Sequence, residues 1–164
     1  MPSVDVVSKV DMQALDNAVN NTLREVASRY DFKNVNTEIV LNKKDKLIHI
    51  ATGDELKMKT VIEMLKGRCV RSDLDPKCLS PKKIEPTSHG TVKMDIQVNE
   101  GIPSETLKKM VKLIKSFNTK VQPAIQDDQL RISGKKIDDL QEIMQLLKDQ
   151  GYDMPLQFVN MKRD

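Results

Sequence analysis

The sequence predicts an α+β fold made of two βαββαβ halves, each an antiparallel sheet with two helices on one face. Three observations predict it. Strands show as alternation of apolar and polar residues, helices show as apolar stripes, and the same order of elements occurs twice along the chain.

In the first half, Val4 and Val6 mark a strand and Asp11 suits a helix N-cap. The helix that follows carries Leu15, Val19, Leu23 (or Thr22), Val26 and Tyr30 on one side. Strands around Ile39 to Leu41 and Leu47 to Ile50 are joined through Asn42-Lys43-Lys44-Asp45. A helix from Asp54 buries Met58, Val61, Ile62 and Leu65, and a weaker strand lies near Lys77 to Ile84.

The second half opens on the clearest strand, Thr91 to Asn99, where Val92, Met94, Ile96 and Val98 alternate with polar residues. Gly101 turns the chain and Pro103 suits the first helical position. Leu107, Met110, Val111, Ile114 and Phe117 then form one apolar stripe. Strands over Lys120 to Gln126 and Gln129 to Ser133 are joined by the turn Asp127-Asp128. Pro123 fits an edge strand, where a missing N–H costs nothing. A second helix follows Gly134, with Ile137, Leu140, Ile143, Met144 and Leu147 inward, Lys148 in its last turn and Gly151 beyond its end. Leu156 and Phe158 mark a last strand.

Ile48-His49-Ile50-Ala51-Thr52-Gly53 and Leu130-Arg131-Ile132-Ser133-Gly134 are counterparts, each running from strand to helix. Ile62 matches Ile143 and Leu65 matches Leu146 at one offset of 81 residues, so the chain reads as an internal duplication. The turn formers between Pro81 and Gly90 divide it into a first half over 1–85, a linker at 86–90 and a second half over 91–164. Periodicity does not exclude the first strand pairing across to the other half.

Composition bounds the function. The 164 residues are 38% apolar and 31% charged, a globular mix. With three Phe, two Tyr and no Trp, the cores must be aliphatic. The net charge of +3 permits a basic patch without demanding a polyanionic partner. No apolar run approaches a membrane span and the first residues lack a secretion signal, so no membrane partner and a cytoplasmic location are expected. Cys69 and Cys78 lack the tight knuckle of a structural zinc site. Reduced thiols are expected in place of a metal built from them with His49 and His89.

Catalytic motifs are absent. There is no Gly-rich phosphate loop, no His-Glu-x-x-His and no Gly-x-Ser-x-Gly, and two histidines leave little imidazole for proton transfer. The expectation is a protein without catalytic residues or cofactor.

The positive features are basic. Lys108, Lys112 and Lys115, joined by Lys109 and Lys120, put positive charge along one helix, either as a solvated face or as an electrostatic footprint for nucleic acid. In Arg131-Ile132-Ser133-Gly134-Lys135-Lys136 a strand ends in Gly at the mouth of a helix, with two Lys beside its N–H groups. That arrangement suits a phosphate, although Asp138-Asp139 partly offset the potential. Tyr30 and Phe32 beside Lys33 offer rings to stack on a base, or else cap the first core.

Several blocks resemble one family. They are Met1-Pro2-Ser3-Val4-Asp5-Val6-Val7-Ser8, Ser28-Arg29-Tyr30-Asp31-Phe32-Lys33, Lys112-Leu113-Ile114-Lys115, Gly134-Lys135-Lys136 with Asp138-Asp139-Leu140-Gln141, and Pro155-Leu156-Gln157-Phe158. In order and over essentially the whole length, they are similar to the YajQ family of bacterial nucleotide-binding proteins. The chain departs from that pattern at Val4, Asp127 and Ile137, where Phe, Gly and Arg are usual, and in its tail. The resemblance implies two ferredoxin-like (α/β plait) halves and binding of nucleotides, nucleic acid and, in some members, cyclic di-GMP. In those members it implies action on transcription through a partner regulator. The leading expectation is a non-catalytic binder of cyclic di-GMP or a purine nucleotide. The alternatives are an RNA- or tRNA-binding protein and a protein-interaction adaptor without ligand. Sequence-specific RNA readout is disfavoured, because the central strands carry no aromatic residue for stacking.

Overall fold

The computed structural model describes all residues 1–164. Its elements are β1 (Ser3–Val7), α1 (Met12–Ser28), β2 (Glu38–Asn42), β3 (Leu47–Thr52), α2 (Glu55–Arg71), β4 (Leu79–Pro81), β5 (Glu85–Pro86), β6 (Val92–Val98), α3 (Ser104–Phe117), β7 (Gln122–Gln126), β8 (Gln129–Ser133), α4 (Ile137–Asp149) and β9 (Gln157–Lys162). Local chemistry sets their ends. The Asp11 carboxylate accepts the N–H groups of Gln13 and Ala14 to start α1, and Asp54 accepts that of Lys57 to start α2. Asp127 turns the β7–β8 hairpin at φ 55, a left-handed conformation that Asp tolerates. At Gly101 φ is +85 and a Cβ would lie 2.6 Å from Asp128 Oδ2, so only glycine fits.

The chain forms two compact units. One comprises residues 1–9 and 100–164, the terminal unit; the other is the inserted unit, 10–99. The terminal unit is a βαββαβ fold in the chain order β1, α3, β7, β8, α4, β9, with the antiparallel sheet order β7-β8-β1-β9. Val4, Val6, Leu130 and Ile132 meet Leu107, Met110, Ile114, Leu140, Ile143 and Leu147 in one core, so both helices cover the same face. The inserted unit has the sheet order β2-β3-β6-β4, with β5 also on β6. Ile39, Ile48, Ile50, Met94 and Ile96 pack there with Leu15, Val19, Met58, Val61 and Leu65 of α1 and α2.

Both sheets therefore have one architecture, an α+β fold of two similar halves. In the terminal unit β1 lies centrally between β8 and β9, and in the inserted unit β6 fills the equivalent place between β3 and β4. The division at 1–85, 86–90 and 91–164 is corrected accordingly. β1 pairs across to the second half, β6 completes the first, and the boundaries fall after Lys9 and Asn99. The reason is physical: alternation in β1 and in β6 reports which face is buried, and it is blind to which sheet supplies the partner. The segment expected as a linker folds back onto β6, with Pro86 paired to Val92 and the Thr87 N–H donating to Thr91 O at 2.9 Å.

Smaller differences follow from side-chain chemistry. Thr22 is the buried residue of its pair in α1, its hydroxyl donating to Ala18 O at 2.8 Å. Tyr30 lies beyond the helix end in a 3-10 turn. The last strand, marked by Leu156 and Phe158, runs from Gln157 to Lys162, so Leu156 lies just before it. Pro123 occupies the edge strand β7, as an absent N–H requires. Cys69 and Cys78 are buried in the inserted unit's core, and burial pushes the Cys69 thiol up to about 12. No group of three or more His, Cys, Asp or Glu is placed to hold a metal ion, and no helix is long and apolar enough to cross a membrane.

Candidate functional site

Strand register gathers the basic residues of the terminal unit. Gln122 of β7, Ser133 of β8, Ser3 of β1 and Lys162 of β9 are aligned and define one end of its sheet. α3 finishes there before β7, and α4 begins there after β8. Lys115, Thr119, Val121, Gln122 and Pro123 line an open cavity of about 420 Å³ at this end. Gly134 adjoins it. A Cβ on that residue would lie 3.7 Å from both Lys120 O and Val121 Cγ2.

Two features that are separate in the sequence thus become neighbours: the Lys-rich helix with its following loop, and the corner Gly134-Lys135-Lys136. Lys115, Lys120, Lys135 and Lys136 are exposed, and none has a carboxylate within ion-pair distance. Lys108, Lys109 and Lys112 continue the exposed positive face along α3. The loop is fixed by the Lys120 N–H, which donates to Asn118 Oδ1 at 2.9 Å.

The backbone donors are not those the strand end suggests. The Gly134 N–H donates to Pro2 O at 3.1 Å and is occupied. The available donors lie at the start of α4: the helix begins at Ile137, and Lys136 at its N-cap has no acceptor to offer, so no side chain caps that turn. An anion meeting this end gains backbone N–H groups and lysines together. Asp138 and Asp139 in the first turn reduce the field and remain outside any ion pair.

Arg131 has a different setting. Its Nε donates to Asp5 Oδ1 at 2.7 Å and its Nη2 to Asp5 Oδ2 at 3.2 Å, while Asn160 donates to the same Oδ2 at 3.0 Å. Asp5 is only 1% exposed, against 41% for the Arg131 side chain. The Arg131 guanidinium beside Asp5 holds its carboxyl below the usual carboxylate range, although burial works in the other direction. With Nε and one N–H of Nη2 spent on Asp5, Arg131 keeps the plane of its guanidinium and its Nη1/Nη2 edge for a ligand. Sequence reasoning passed over Asp5 as a partner. The available signal was one acid inside the valine-rich strand Val4-Asp5-Val6-Val7.

Tyr30, Phe32 and Lys33 belong to the inserted unit, and the lysine corner belongs to the terminal unit. Phe32 is a core residue, with the Arg29 guanidinium 5.9 Å from its ring centroid. Tyr30 is 89% exposed and Lys33 is exposed, so Tyr30 alone of the two rings has an accessible face. The neighbouring Arg29 is held by Asp31 at 2.9 Å.

Comparison with known proteins gives full-length matches. The family described as "Nucleotide-binding protein YajQ-like" matches residues 2–162. A nucleotide-binding protein of Nitratidesulfovibrio vulgaris is 58% identical over 162 residues, covering 99% of each chain. One from Dehalococcoides mccartyi is 56% identical over 163 residues, covering 99% of this chain and 100% of its own. One from Magnetococcus marinus is 48% identical over 162 residues, again 99% of each.

Proposed function

The chain belongs to the YajQ-like family of nucleotide-binding proteins, and on that footing we propose that it binds a nucleotide at the basic end of the terminal unit without transforming it. One observation carries the assignment of the site: unpaired lysines from the α3–β7 loop and the β8–α4 corner adjoin beside an uncapped helix start. Phosphate oxygens accept from Lys120, Lys135 and Lys136 and from the first N–H groups of α4. Lysines from two elements suit a ligand with more than one phosphate, such as cyclic di-GMP or a purine nucleotide. The same reading extends to a regulatory role, in which the liganded form acts on a transcription regulator.

RNA is the second reading, favoured by the exposed face of α3. Lys108 to Lys115 extends over about 10 Å of helix, enough to follow a phosphate backbone, and leads into Lys120.

Calorimetric titration of the full chain with cyclic di-GMP, linear purine nucleotides and tRNA tests both. Changing Lys120, Lys135 and Lys136 together to Gln is expected to weaken nucleotide binding by about tenfold or more, while folding stays intact because all three are exposed. Undiminished affinity removes this end from the site. Binding of tRNA alone, steeply weakened by salt, selects the RNA reading. No binding of any probe by the parent chain selects the adaptor.

A further inference from the structure

The central strands of the two sheets repeat one device and use it differently. In the terminal unit, Arg131 and Asp5 are opposed across β8 and β1. In the inserted unit, His49 and Asp95 are opposed across β3 and β6, with Nδ1 2.8 Å from Oδ1. The first carboxylate is buried, whereas both members of the second pair are 45% exposed. Ile48, Ile50, Met94 and Ile96 point into the core under α1 and α2, which leaves His49, Lys93 and Asp95 on the uncovered face of the sheet.

A cavity of about 340 Å³ opens on that face, lined by His49, Lys82, Lys83, Glu85, Lys93, Met94 and Asp95. The segment carrying Lys82, Lys83 and Glu85 walls one side. It is held by the Lys82 N–H donating to Asp95 O at 2.8 Å and by the pairing of Glu85 with Lys93. The three ammonium groups have no carboxylate within ion-pair distance, and Asp95 is engaged by the imidazole. Three lysines outside any ion pair thus outnumber the one unengaged carboxylate, Glu85, around a concave site within the size range of small-ligand pockets, roughly 300–1,000 Å³.

We propose that this cavity is a second anion site, separate from the lysine corner, that takes the phosphate group of a small phosphomonoester such as a nucleoside monophosphate. The Asp95 carboxylate only accepts hydrogen bonds, so Nδ1 of His49 carries the proton and Nε2 is the ring's remaining polar atom. Nε2 accepts from a protonated phosphate oxygen or, on the charged ring, donates to an ionised one. Lys82, Lys83 and Lys93 supply the opposing charge. Val40, paired to His49 on its other side and 55% exposed, gives an adjoining apolar surface for a base. The site stands whether or not the lysine corner binds a nucleotide.

The chain has two histidines, and His89 lies exposed in the turn before β6, outside the cavity. Histidine-ring NMR of the full chain at fixed pH therefore carries its own control. AMP and inorganic phosphate are expected to move the His49 resonances saturably and leave His89 still, while adenosine moves neither. Changing Lys82, Lys83 and Lys93 to Gln is expected to weaken the AMP response by about tenfold or more, with amide shifts unchanged away from the three substituted positions. The Lys120, Lys135 and Lys136 variant should leave that response intact, which separates the two sites. A His49 ring unmoved by AMP, equal movement of both histidines, or an undiminished response in the Lys82, Lys83 and Lys93 variant overturns the proposal.

Discussion

Removing residues 1–9 is expected to unfold residues 100–164 while residues 10–99 keep their structure. β1 is the central strand of the terminal sheet, paired over Ser3 to Val6 with β8 and over Ser3 to Val7 with β9. Val4 and Val6 are 1% and 0% exposed, within the core that α3 and α4 cover. Without β1 that sheet becomes a β7–β8 hairpin and an unpaired β9, and an isolated hairpin is marginal in water. The remaining unit is also small, so it has little stability to lose. Amide hydrogen exchange reads the outcome residue by residue. Protection that disappears across 100–164 and persists across 10–99 is expected. Retained protection in 100–164, with loss inside 10–85, would restore two contiguous halves.

The terminal unit is also expected to lose stability in acid, and its buried Asp5 is a cause. Arg131 and Asn160 both donate to its buried carboxylate, and the Arg131 hydrogen bond is the largest influence holding its pKa below the ordinary value. A carboxylate with a depressed folded pKa binds fewer protons folded than unfolded. Its stabilisation is therefore fully present above the unfolded value and is lost as pH falls through the folded one. Stability of residues 1–9 and 100–164 should decline in that acid range. Asp5→Asn should remove this part of the decline and lower stability at neutral pH by about 1–3 kcal/mol, because an amide N–H₂ would face the Arg131 donors in a buried place. Denaturant unfolding from neutral to acid pH checks both. An Asp5→Asn chain as stable as the parent at neutral pH would contradict the role of the pair.

Most elements were legible because their signals are local. The stripe Leu107, Met110 and Ile114 and the alternation Met94, Ile96 and Val98 fix type and buried face without reference to the rest of the chain. Partner choice was not legible, since β1 and β6 offer the same alternation and only the assembled sheets show which central place each fills. The same limit governs the candidate site. Lys120 and Gly134-Lys135-Lys136 were visible as residues, but their adjacency depends on the β7–β8 register. The occupied state of Arg131 depends on Asp5, 126 positions away in the chain. Tyr30 and Phe32, adjacent in type and position, separated into an exposed ring and a core ring because α1 ends at Ser28 and the following 3-10 turn faces only Phe32 inward.

Backbone amide chemical-shift mapping of the full chain, titrated with cyclic di-GMP and then with a linear purine nucleotide, tests nucleotide binding at the basic end most directly. The predicted result is a saturable set of shifts at Lys120, Val121, Lys135, Lys136 and the first turn of α4, with the Gly134 amide held by Pro2 moving less. Saturable shifts confined to residues 10–99, with the α3–β7 loop and the β8–α4 corner unmoved, would contradict it.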